Sequence, residues 1–235
     1  GVVDSRIDSC AMTQAADGYG GGAYVSGGTL TRTRATFANN TGGSSAYYAR
    51  GFGMYAINAA VQMTDCVLSN NAYSGGTNPN RGSRGGGFYI HGGTLAATNC
   101  TFADNRVSMQ TGHTAPLSGG GAGTLTHSVD AEFIDCTFSE NHAVRKTTSS
   151  TMGGGTLRLY SGATVTMKGC TITESQSGNS GGAFFVESSS SSLALQNCVV
   201  ANSSLDYASM QGGGFYITGG SVSLTNCSVV YNSSL

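Results

Sequence analysis

A right-handed, single-stranded parallel β-helix, an all-β solenoid, is the fold class that three observations predict. One stretch recurs almost verbatim, cysteine returns at a steady interval, and glycine clusters punctuate the chain between cysteines. Residues 85–105 read GGGFYIHGGTLAATNCTFADN and residues 212–232 read GGGFYITGGSVSLTNCSVVYN. Self-similarity with a period of tens of residues marks a solenoid, in which each repeat buries its inner face only by stacking on its neighbours. Residues 1–235 are read as one β-helix domain of about seven to eight coils of 25–36 residues. At about 4.8 Å per coil the rod would be roughly 35 Å long.

The elements follow from the cysteines. Cys10, Cys66, Cys100, Cys136, Cys170, Cys198 and Cys227 are set in one column, with Ala35 in the vacant place. Two residues later comes an apolar side chain, Phe37, Leu68, Phe102, Phe138, Ile172, Val200 or Val229, on the same side of a short strand. Three further on stand Asn40, Asn71, Asn105, Asn141 and Asn232, replaced by Ser175 and Ser203 in two copies. Upstream, alternating pairs such as Val61 and Met63, Leu95 and Ala97, or Val165 and Met167 define a second strand. Its inward phase changes before the cysteine, which predicts a corner there. A third strand follows the glycines, as in Gly87-Phe88-Tyr89-Ile90. Three short strands per coil are therefore expected. Length variation falls in one turn, represented by residues 41–52, 72–86, 106–120, 142–154, 175–181 and 203–213. Such loops emerge on one side of a rod and carry its specificity.

Composition narrows the function. With 39% apolar residues the chain can bury a sizeable core, while 37 glycines, two prolines, no tryptophan and 10% charged residues suit a tightly turned repeat. A net charge of −1, spread along the chain, supplies no footprint for nucleic acid or an anionic membrane. No stretch approaches the roughly 20 apolar residues of a membrane-spanning helix, so membrane insertion by this segment is not expected. The chain starts at Gly1 with no leader and is read as a segment of a longer chain, or as a protomer stacking end to end.

Several repeats match a known pattern. Gly21-Gly22-Ala23-Tyr24-Val25 and Gly181-Gly182-Ala183-Phe184 supply a Gly-Gly-Ala-apolar motif, and Phe37-Ala38-Asn39-Asn40, Phe102-Ala103-Asp104-Asn105 and Phe138-Ser139-Glu140-Asn141 a Phe-X-X-Asn motif. In these pieces the chain resembles the repeat of the chlamydial polymorphic outer membrane proteins. The resemblance implies a surface-displayed β-helical passenger used in adhesion. The chain departs from that pattern where Phe replaces the Ala, and where Leu, Ile or Val replaces the Phe. No membrane-barrel sequence accompanies it.

The columns of the repeat supply the candidate sites. Stacked cysteines on adjacent coils would have Cβ atoms near 4.8 Å apart, beyond disulfide reach, so they are read as free buried thiols. No CxxC pair or accompanying histidine points to a metal, and no cofactor is implied. The asparagine column is read as amides at a tight corner, stacking from coil to coil. Asp104, Glu140 and Glu174 form an outward carboxylate ladder, the place where glycoside hydrolysis or calcium binding would reside. The flanking column lacks an obvious catalytic lysine or arginine, and His91, His113, His127 and His142 share no column. Tyr24, Tyr55, Tyr89, Phe184 and Tyr216 form an outward aromatic ladder, interrupted near Gly123 and Leu157, that could stack on sugar rings or on another chain. Asn39, Asn99, Asn202, Asn226 and Asn232 head Asn-X-Ser/Thr glycan-acceptor triplets. The glycine runs lack the lysine and helix of a phosphate loop.

The reading that results is a non-enzymatic extracellular or cell-surface β-helix: a segment of a stalk, adhesin or filament. Its partners would be copies of itself joined end to end, other surface proteins, or glycans. The alternatives are a polysaccharide lyase or glycoside hydrolase working at Asp104, Glu140 and Glu174, and a carbohydrate-binding module.

Overall fold

A computed structural model describes residues 2–12, 17–42, 48–73, 82–109, 118–145, 152–206 and 211–234. The centres of most variable loops, and His113 with them, lie outside the described residues. The fold is a right-handed β-solenoid, all of whose strands pair in parallel.

The post-cysteine strands form the most regular ribbon. Eight three-residue strands stack in order: Arg6–Asp8, Thr36–Ala38, Val67–Ser69, Thr101–Ala103, Thr137–Ser139, Thr171–Thr173, Val199–Ala201 and Ser228–Val230. Phe37, Leu68, Phe102, Phe138, Ile172, Val200 and Val229 are register partners in it, as the sequence period requires. Ahead of it lies a 13-stranded sheet holding both the glycine-following and the pre-cysteine strands. In two coils these run together, as Met54–Thr64 and Phe88–Thr98. Leu30, Val61, Leu95, Ala131, Val165 and Leu193 point inward from it and join the cysteines and phenylalanines in one continuous core.

A left-handed residue stands on each side of the post-cysteine strand in successive coils. Before the cysteine position these are Arg34, Asp65, Asn99, Asp135, Gly169, Asn197 and Asn226; after the strand they are Asn39, Asn70, Asp104, Glu140, Glu174 and Asn202. Asn, Asp and Gly tolerate this conformation best, which explains much of the chain's composition there. The ladder asparagines themselves do not adopt it: the residue before each one makes the corner.

The expectation of three strands per coil is too low. The variable turn holds two more ribbons, one including Arg106–Met109 and His142–Arg145, the other including Tyr48–Arg50 and Gly82–Arg84. Their strands are mostly two to four residues long and lack a repeating alternation, so no period announced them. The first packs against the glycine clusters without intervening side chains. A Cβ on Gly121 would meet Gly155 O at 2.2 Å and His142 N at 2.5 Å. Between the two ribbons sits a smaller apolar cluster around Phe52, Val107, Ala143 and Met152.

Candidate functional site

The register separates Cys10 from the other cysteines. Ile7 pairs with Phe37 and Asp8 with Ala38, and the Cys10 N–H donates to Asn40 Oδ1 at 3.1 Å. Cys10 thus stands in the asparagine column. Ser5 takes the cysteine position of that coil, its carbonyl accepting from Thr36 as that of Ala35 accepts from Val67. Cys66, Cys100, Cys136, Cys170, Cys198 and Cys227 do share a column, and all seven cysteines are free thiols. In the stack the backbone N–H of Cys66 reaches Cys100 Sγ at 3.4 Å and that of Cys100 reaches Cys136 Sγ at 3.5 Å. Burial pushes the Cys198 thiol up to about 11. Ellman's reagent added to the folded protein should label Cys10 and Cys227, which are partly exposed, and reach Cys66, Cys100, Cys136, Cys170 and Cys198 only on unfolding. Prompt labelling of all seven would contradict this packing.

From Asn40 to Asn141 the asparagine column is a continuous amide ladder. Asn40, Asn71 and Asn105 each donate Nδ2 to the next Oδ1, at 2.9, 2.9 and 3.1 Å. Beside it, Asp104, Glu140 and Glu174 are exposed on the left-handed corner. Asn39, Asn99, Asn202 and Asn226 are exposed left-handed residues too, with Asn99 Nδ2 donating to Asp65 at 2.6 Å. Asn232 is half-buried, its amide held between Val200 O and the Ser203 N–H.

The aromatic ladder needs two corrections. Phe184 pairs with Leu157 and Phe215, so it faces the core; its neighbour Phe185 pairs with Arg158 and Tyr216. The outward column therefore runs Tyr24, Tyr55, Tyr89, Thr124, Arg158, Phe185, Tyr216, and its interruptions are Thr124 and Arg158. Nor is most of it open to solvent: Tyr24 is 56% exposed, but Tyr55 only 5% and Tyr89 2%. Tyr24, Tyr55 and Tyr89 stack face to face, with centroids 5.4 and 5.3 Å apart. Their faces meet one another, and an arginine lies over Tyr89.

That arginine comes from one of the strands that precede the glycine corner. The chain turns there, so outward side chains of that ribbon and of the glycine-following ribbon converge on a groove. Arg50 lies over the rings of Tyr19 and Tyr89, at 5.2 and 5.8 Å from their centroids. Arg84, its register partner, lies 5.8 Å from the Tyr160 ring and donates Nη1 to Tyr160 Oη at 2.9 Å. The Tyr89 and Tyr160 hydroxyls share a further hydrogen bond of 2.9 Å. Arg158 is fully buried beneath them, donating Nη1 to Ser118 O and Nη2 to Glu187 Oε2, both at 2.6 Å. Burial pulls its pKa below the ordinary arginine value, opposed by the Glu187 carboxylate.

Histidines close the groove. His91 pairs with Thr126, one residue short of His127, so the two histidines share no register position. His127 takes a left-handed φ of 58°, and its ring stacks on that of His91 at 3.8 Å, with Nδ1 2.8 Å from Thr126 Oγ1. Burial and the neighbouring His127 and Arg50 hold the His91 pKa below the ordinary imidazole value. Arg50, Arg84, Tyr89, His91, His127 and Tyr160 line an open cavity of about 550 Å³, whose wall also includes Ser161, Glu187 and Ser188 but none of Asp104, Glu140 and Glu174. Among the described residues no group of three or more His, Cys, Asp or Glu side chains is arranged to hold a metal ion. The groove offers fixed cations, hydroxyls and imidazoles to a small polar ligand.

Compared with protein families, residues 2–234 match the model described as a right handed beta helix region. Compared with curated proteins and with solved structures, the chain shows no match.

Proposed function

Because the chain belongs to the right-handed β-helix family, we propose that it is a non-enzymatic extracellular or cell-surface rod that binds a glycan in the arginine-lined groove. The observation carrying this reading is the convergence of Arg50, Arg84, Tyr89, His91, His127 and Tyr160 on one cavity, from strands fixed by continuous parallel pairing. Guanidinium, phenol and imidazole groups held this way bind sugar hydroxyls and charged substituents without prior ordering. Resemblance to the repeats of chlamydial outer membrane proteins supports surface display and adhesion. Exposed Asn202 and Asn226 are the acceptor sites that a secretory route would modify. End-to-end association and contact with other surface proteins belong to the same proposal.

The test is native mass spectrometry of the protein with a panel of plant, algal and bacterial oligosaccharides. Expected are complexes whose sugar is recovered at its original length, and which survive Tyr24→Ala because that ring is outside the cavity. Shortened or unsaturated products would make the protein an enzyme. Absence of any complex would remove the glycan reading.

A further inference from the structure

We infer that the groove is a receptor site for an oxyanion carried on a sugar, a carboxylate or a sulfate ester, seated between Arg50 and Arg84 and faced by His91, His127 and Tyr160. The inference rests on the reading of the groove as a glycan site and names the chemistry the glycan must carry. Three observations point to it.

The first is charge. Arg50, Arg84 and two imidazoles line the cavity against the one carboxylate in its wall, Glu187, which already meets Arg158 at 2.6 Å; Asp17, outside the wall, is linked to Arg50 through the Tyr19 hydroxyl. That surplus is concentrated in a chain with only 10% charged residues and a net charge of −1. The second is register. Arg50 and Arg84 are direct partners on adjacent parallel strands, and like charges facing each other across a sheet repel. An anion between them turns the repulsion into two attractions. The third is rigidity. Each guanidinium lies over a tyrosine ring, and Arg84 is further fixed on Tyr160 Oη at 2.9 Å. A planar guanidinium fork suits the paired oxygens of carboxylate or sulfate, and one already held in place loses little freedom on binding.

The histidines add a signature. Burial, with His127 and Arg50 beside it, makes His91 resist protonation. A bound anion offsets that repulsion, so binding takes up protons and tightens as pH falls from about 7.5 to about 5.5.

Isothermal titration with an oligouronate trimer, a sulfated disaccharide, their neutral parent sugars and inorganic sulfate tests the inference. Expected are charged sugars binding at least about tenfold tighter than neutral ones, and a loss of about tenfold or more in each of Arg50→Met and Arg84→Met. Which charged sugar binds decides between carboxylate and sulfate ester. His91→Gln should flatten the pH dependence of binding between about 7.5 and about 5.5. Asp104→Asn, outside the cavity, serves as the unchanged control. If Arg84→Met does not fold, Arg50→Met and Arg84→Lys, which keeps the charge but loses the fork, carry the test. Neutral sugars binding as tightly as charged ones would overturn the anion site and leave the glycan reading standing. Inorganic sulfate binding without any sugar would leave the anion site and remove the glycan. No binding by any probe would overturn both.

Discussion

Asn105→Ala is expected to destabilise the protein by about 2–5 kcal/mol, read as a lower midpoint in urea unfolding. The Asn105 Nδ2 donates to Leu68 O at 2.8 Å and to Asn141 Oδ1 at 3.1 Å. Its Oδ1 accepts from the backbone N–H of Asn71 at 3.2 Å and from the Asn71 amide at 2.9 Å. Alanine leaves that backbone N–H and carbonyl without these partners in a fully buried place, and each orphaned group costs about 1–3 kcal/mol. Asn105→Asp should cost a comparable amount, because it keeps the acceptor but loses the donor. A shift below about 0.5 kcal/mol would show that water or a relaxed backbone takes over, and the ladder would lose its structural role.

Phe102→Ala should cost about 3–5 kcal/mol, the range for deleting a buried aromatic ring. Its ring is fully buried, lies 4.6 Å from that of Phe138 and meets Phe88 and Phe133 edge-on at 5.4 and 5.8 Å. Each coil touches only its neighbours, so the loss is local to the middle of the stack. Chemical unfolding should therefore broaden as well as shift, as the two halves lose their common transition. Val229→Ala, in the same column but 41% exposed, is the comparison and should cost less than about 1 kcal/mol. Equal costs at the two positions would mean that the column is not a graded core.

These two sites also show what was legible in the sequence. Phe102 and Asn105 repeat at an interval that only a stacked coil explains, so the fold class, the inward column and the amide ladder could be read directly. Cys10 misleads because its identity matches the cysteine column while its register does not; Ser9, left-handed like the residue before each ladder asparagine, marks its true column. Phe184 misled because Ala183 occupies the place of the last glycine in the other clusters, which moved the count by one. The groove was not legible. Arg50 and Arg84 lie on strands without alternation, His127 reaches His91 only through a left-handed residue, and Arg158 and Tyr160 come from a later coil. No spacing along the chain brings these side chains together. The stacking of coils in parallel register does.

The amide ladder has a direction as well as a strength. From Asn40 through Asn71 and Asn105 to Asn141 every amide-to-amide bond is donated the same way, N–H toward the later coil. The amide dipoles therefore add rather than cancel along this run, and Ser175 and Ser203 break the series before Asn232. The middle of the rod is electrically an arrow, and a molecule lying along it meets two unlike orientations. A chain-like ligand with its own head and tail would not be indifferent to which way round it lies.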